Sequence, residues 1–178
     1  MQNSTNLKSV ASNYGLYLAL AVVLIFSLAY ALSVEMFTKW YLSLILFFVL
    51  VGFGVASTKA CKSAATEIFS FRKAFTAYFI CVIIGLVAQS LTQFSIFNLI
   101  DPEAGAYIVE FSKEQVADTM AKFGSTQEQI DLTIAGMEQE NQFSLKNQAI
   151  GLATNIVFYS IIGLIVALVF RQKQPDNL

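Results

Sequence analysis

Two otherwise apolar runs carry side-chain amides and hydroxyls at helical spacing. Gln89, Thr92 and Gln93 stand at i, i+3 and i+4, so on a helix they share one face, with Ser90 and Ser95 beside them. Gln148 and Asn155 stand seven apart and share a face too, in a run that also holds Thr154, Tyr159 and Ser160. Amides and hydroxyls donate and accept hydrogen bonds but do not gain or lose protons at neutral pH. The chemistry open to Gln89, Thr92, Gln93, Gln148 and Asn155 is therefore recognition: hydrogen bonding between helices, or the lining of a polar pocket.

Other chemistry has little to work with. The chain contains no histidine, which removes the commonest general base and metal ligand. Serine hydrolysis needs a base beside the nucleophile, and the apolar runs offer neither histidine nor lysine. Cys61 and Cys81 have no metal-type spacing and read as free, small apolar residues rather than a disulfide. No catalytic, cofactor-binding or metal site is expected. With a net charge of −1, nothing points to a nucleic-acid partner.

The elements that hold these residues are set by the distribution of charge. Of 178 residues 56% are hydrophobic and only 13% charged. Residues 9–34, 40–58, 74–100 and 147–170 contain no Asp, Glu, Lys or Arg. Each run is close to or above the roughly 20 residues a helix needs to cross about 30 Å of hydrocarbon. The fold class expected is an all-α membrane protein with four transmembrane helices, over about 14–33, 40–55, 71–97 and 148–170. Trp40 and Tyr41 suit the interface where the second span enters. Gly52 with Ala56, and Gly163 with Ala167, have the small-xxx-small spacing that lets helices approach closely. Ala29-Tyr30-Ala31 has the form of a signal-peptidase site, but the run before it is as long as a full span, so the span is expected to stay.

Lys59, Lys62, Arg72 and Lys73 lie between spans two and three, Arg171 and Lys173 follow span four, and Lys8 precedes span one. By the positive-inside rule both termini and residues 57–73 are cytoplasmic. Residues 101–146 then lie outside. They hold nine acids against Lys113, Lys122 and Lys146, a net of −6 that suits a solvated face and matches no calcium-loop spacing. Ser112 with Gln115 and Ser125 with Glu128 read as capping boxes, and Gly124 as a helix stop. Val116, Met120 and Phe123 form one apolar stripe; Ile130, Ile134 and Met137 form another. An extracytoplasmic α-helical hairpin between helices three and four is expected, packed stripe to stripe. The organisation is thus 1–100 (three spans and a basic loop), 101–146 (acidic hairpin) and 147–178 (fourth span and tail).

Spans three and four run antiparallel. With midpoints near Leu86 and Tyr159, Gln89 lies about 4–5 Å and Asn155 about 6 Å toward the outer side, at about 1.5 Å per residue. The two are expected to face each other, directly or through a water, with Gln93 and Gly151 one turn further out.

The stretch Ile68-Phe69-Ser70-Phe71-Arg72-Lys73-Ala74-Phe75 resembles the motif of an aromatic, two residues and Ala-Phe that opens the third span in a bacterial membrane family, the domain of unknown function numbered forty-one ninety-nine. The layout is similar over nearly the whole chain, ending in Ile161-Ile162-Gly163-Leu164-Ile165-Val166-Ala167-Leu168-Val169-Phe170-Arg171. The chain departs from the family where Ala64-Ala65-Thr66-Glu67 replaces a Gly-Gly-like turn and where Lys73 replaces a Glu, so no role of that Glu carries over. The resemblance implies architecture and a bacterial inner-membrane address, and no activity. From the residues themselves, Ser70 is an N-cap for span three, Phe71 and Phe75 sit at the lipid boundary, and Arg72 and Lys73 reach anionic headgroups.

These features point first to a non-enzymatic scaffold or accessory subunit acting by helix association with other membrane proteins or with itself, in contact with the lipid bilayer. The alternative is a small transport or lipid-binding protein using a polar outer-leaflet pocket between helices three and four. A cavity reaching Gln93 and Asn155 favours the second.

Overall fold

The computed structural model describes residues 2–139 and 143–172; Glu140 and Lys173, which enter the charge argument, lie outside the described residues. Among the described residues there are helices and no strands. They are α1 (Gln2–Leu32), a short 3-10 segment (Val34–Thr38), α2 (Trp40–Ser63), α3 (Phe71–Phe94) widening into a π-helical turn (Ser95–Ile100), α4 (Pro102–Lys122), α5 (Gln127–Gln139) and α6 (Leu145–Phe170). Asn6–Leu32, Trp40–Ser63, Phe71–Ile100 and Leu145–Phe170 are long and apolar enough to cross a membrane. The architecture is that of a multi-pass membrane protein.

α3 is the hub, packing against α1, α2 and α6, and α2 also touches α1 and α6. Lipid tails are as apolar as leucine, so burial of apolar surface does not drive these helices together; close packing and hydrogen bonds do. The ring of Tyr78 on α3 shows how. It is fully buried between Gly54 of α2 and Gly163 of α6, where an added Cβ would lie 2.5 Å and 2.6 Å from ring carbons. Nearby, Ser57 Oγ donates to Ala77 O at 3.0 Å, tying α2 to α3, and Thr58 Oγ1 donates to Gly54 O at 2.8 Å. Of the two small residues expected at contacts on α2, Gly52 faces open space with nothing within 4 Å; the close approach is on the opposite face, at Gly54. On α6 both Gly163 and Ala167 are buried.

The end of the bundle where α1 begins and α6 stops is closed by a reciprocal pair. Phe69 N–H donates to Gln172 Oε1 and Gln172 N–H to Phe69 O, each at 2.9 Å. Ser70 caps α3, its side chain accepting from Lys73 N–H. Phe71 and Phe75 pack on a cluster of Ala11, Ala74, Ala77 and Ala167 instead of facing lipid alone. Cys61 and Cys81 are free and buried.

At the opposite end α4 begins eleven residues earlier than a cap at Ser112 suggests, with Asp101 in that place. Asp101 is the N-cap, accepting from Ala104 N–H at 2.9 Å, with Pro102 as the first helical residue. Ser112 lies inside α4 and its hydroxyl bonds back to Ile108 O. α4 stops at Gly124, whose φ of 81° suits glycine. Thr126 and Gln129 form the reciprocal capping box of α5, one residue later than Ser125 and Glu128. α4 and α5 touch; Ile130 is buried, while Phe123 is 87% exposed and leaves its expected stripe.

Candidate functional site

A cavity of about 210 Å³ lies within the bundle, in the half toward α4. Each spanning helix contributes to its wall: Phe26 from α1, Leu42, Ser43 and Leu46 from α2, Gln89 and Gln93 from α3, Asn155 and Tyr159 from α6, with Phe37 of the 3-10 segment as the remaining side. A second, smaller cavity of about 60 Å³ lies between α3 and α6, lined by Ser90, Gln148, Gly151 and Leu152. Gln89, Gln93 and Asn155 line both cavities.

The helix periodicity that aligns Gln89 with Gln93 puts both amides on the face of α3 that fronts the cavity. Gln89 and Asn155 share the cavity wall without a direct bond from Gln89 Oε1. That oxygen is buried and has no hydrogen-bond partner among the described residues. The hydrogen bond that does join α3 to α6 at this level runs from Ser90 Oγ to Gln148 Oε1, at 3.1 Å. Thr92 stands apart: its hydroxyl returns to Ala88 O at 2.7 Å, and its side chain lines neither cavity. Phe26, Phe37 and Ser43 were not expected at the site. Only Ser43, a hydroxyl inside an apolar run, carries a signal in the sequence.

No Asp, Glu, Lys or Arg lines the larger cavity, and no group of three or more His, Cys, Asp or Glu able to hold a metal occurs among the described residues. The site offers amide and hydroxyl groups on one side and aromatic and aliphatic surface on the other. It can hold a molecule by hydrogen bonds and packing. Ser43 and Asn155 are exposed at the bundle surface, so the cavity opens between α2 and α6. These two helices make the fewest contacts of the adjacent spanning pairs.

Polar ties join distant segments at the α4 end of the bundle. Tyr30 of α1 donates to Asp101 at 2.8 Å, and Tyr107 of α4 donates to Glu35 at 3.3 Å. The Ala104 N–H and the Tyr30 hydroxyl hold the Asp101 carboxyl below its ordinary range. Burial, then the Glu35 carboxylate, push the Tyr107 phenol up. Asn98, in the π-helical turn, donates to Phe94 O and Phe143 O, at 3.2 Å and 2.8 Å.

The model of a family described as a protein of unknown function (DUF4199) matches residues 13–172. The chain belongs to the DUF4199 family. No curated protein and no solved structure matches it significantly. The matched residues of this DUF4199 protein include every residue lining both cavities. The motif that opens α3 lies at the other end of the bundle. There Lys73 pairs with Glu67 at 3.0 Å and also donates to Ile68 O. Arg72 is exposed and lines a groove of about 330 Å³ with Lys8, Ser70, Lys73 and Thr76. Arg72 and Lys73 are thus far from Gln89 along α3 and belong to a separate surface.

Proposed function

We propose that this protein is a non-enzymatic membrane protein that takes a small lipid-soluble molecule into the cavity between its four spanning helices, as a lipid-binding or transport protein. The observation that carries the reading is the cavity of about 210 Å³ bounded by Gln89, Gln93 and Asn155 at membrane depth. Side-chain amides are costly in hydrocarbon unless they have partners. Three of them around one space, one with a buried unpartnered oxygen, form a surface for a guest with hydrogen-bonding groups.

The same proposal sets the protein in a bacterial inner membrane with both termini and residues 57–73 cytoplasmic. Six of the eleven basic residues, in that loop and the C-terminal tail, support it. The cavity then lies in the outer leaflet, beneath an acidic α4–α5 hairpin. Arg72 and Lys73 sit at the inner-leaflet headgroups.

The scaffold reading retains one feature in its favour, the open surface of α2 at Gly52, against which another membrane protein or a second copy could pack. Purification in a gentle detergent, followed by solvent extraction and mass spectrometry, separates the two. The pocket reading expects a small molecule at near-stoichiometric yield from wild type and its loss from Asn155→Leu. A protein partner with no retained small molecule would favour the scaffold.

A further inference from the structure

We infer that the guest is an uncharged lipid with a free hydroxyl on its head, of the diacylglycerol type, entering sideways between α2 and α6. The inference rests on the pocket reading above and names its ligand class.

Depth is the first constraint. The span containing α3 runs Phe71–Ile100. Gln89 lies about 5 Å from its middle toward α4, at about 1.5 Å per residue. Hydrocarbon extends to roughly 15 Å on either side of a bilayer midplane. A phospholipid phosphate would have to be drawn well below its own headgroup layer to reach this amide. Neutral lipids carry no such charge to drag inward.

Charge is the second. The larger cavity has no ionisable Asp, Glu, Lys or Arg to offset a phosphate or an ammonium. An ion buried there without a partner is strongly disfavoured.

The third constraint is the sense of the hydrogen bonds. Gln89 Oε1 is an acceptor with no donor among the described residues. Rotation about the terminal amide torsion, which is soft, turns that oxygen into the cavity. A hydroxyl supplies the missing donor; a quinone or simple ester, all acceptor, can accept from the amide N–H groups of the wall but leaves that oxygen unpaired. The ester carbonyls of a diacylglycerol can in turn accept from the Asn155 amide and the Tyr159 hydroxyl, both in the same wall. Leu42, Leu46, Phe26 and Phe37 supply apolar walls. The exposed rim at Ser43 and Asn155 leaves the acyl chains an exit to lipid.

The test uses the full chain in nanodiscs, read by native mass spectrometry against dioleoylglycerol, dioleoylphosphatidylglycerol and decylubiquinone at equal amounts. The expected result is one dioleoylglycerol per chain, favoured about tenfold over either competitor. Gln89→Leu should lower its retention about tenfold, the effect of one lost buried hydrogen bond. Ser43→Trp, which fills the mouth of the cavity with a bulky ring and leaves the amides in place, should lower it comparably. If decylubiquinone or the phosphatidylglycerol binds preferentially and both variants release it, the pocket stands and the hydroxyl-lipid assignment is overturned. If no lipid is retained by wild type above the level of Ser43→Trp, the pocket reading falls with it.

Discussion

The hydroxyl of Tyr30 donates to Oδ2 of Asp101, 71 positions away, at 2.8 Å. One carboxylate thereby caps α4 and ties its start to the last turn of α1. The bond favours the ionised form, so the folded carboxyl titrates below its unfolded value of about 3.9. Its contribution to stability is complete above that value and disappears as pH falls through the folded one. Thermal melts in detergent between pH 7 and pH 3 check this. The margin of wild type over Asp101→Asn should be constant near neutrality and shrink below about pH 4. A margin independent of pH would remove the charge from the argument.

The Tyr78 ring fills the gap between Gly54 and Gly163 so closely that neither glycine has room for a methyl group. Gly163→Ala is expected to destabilise the bundle by about 1–3 kcal/mol through overpacking. Adding Tyr78→Leu should recover part of that loss. Strict additivity of the two changes would show that the ring is not the obstacle.

Two polar pairs between α3 and α6 separate bonding from lining. Ser90 and Gln148 share a hydrogen bond, whereas Gln89 and Asn155 share only a cavity. A double-mutant cycle on Ser90→Ala and Gln148→Leu should give a coupling of about 0.6–2 kcal/mol. The cycle on Gln89→Leu and Asn155→Leu should be close to additive in ligand-free protein. Equal couplings would contradict the assignment.

At the basic end, the reciprocal bonds between Phe69 and Gln172 join the α2–α3 loop to the second residue beyond α6. Gln172→Leu removes the side-chain acceptor and is expected to cost about 1 kcal/mol. Hydrogen exchange at Phe69 should quicken in the variant; unchanged protection would mean that the loop does not depend on the side chain.

The four spans were legible because a membrane helix must exclude charge, and four windows do. Their ends were harder to read. α2 continues past Val55 to Ser63 through Lys59 and Lys62, since long cationic side chains at a span's end do not stop a helix. The start of α4 is obscured because Ser112 with Gln115 imitates a capping box. Asp101 before Pro102 provides the stronger signal, and Ser112 finds its partner one turn back instead. Helical spacing brought Gln89, Gln93 and Asn155 together from the sequence. It could not exclude Thr92, whose hydroxyl is satisfied within its own helix. It also could not supply Phe26, Phe37 or Ser43, which reach the cavity from segments with no local mark of a common site.

The most direct measurement of the central claim is thiol reactivity in intact membranes. Asn155→Cys lines the cavity, and Val157→Cys lies two residues on, at nearly the same depth but lining neither cavity. Both native cysteines are buried. A thiol reacts through its thiolate, which forms only where water or polar groups reach it. With N-ethylmaleimide, the cysteine at 155 should react about tenfold faster than the one at 157 and slow when dioleoylglycerol is added. Equal rates at the two positions, unaffected by added lipid, would contradict a polar ligand cavity at this depth.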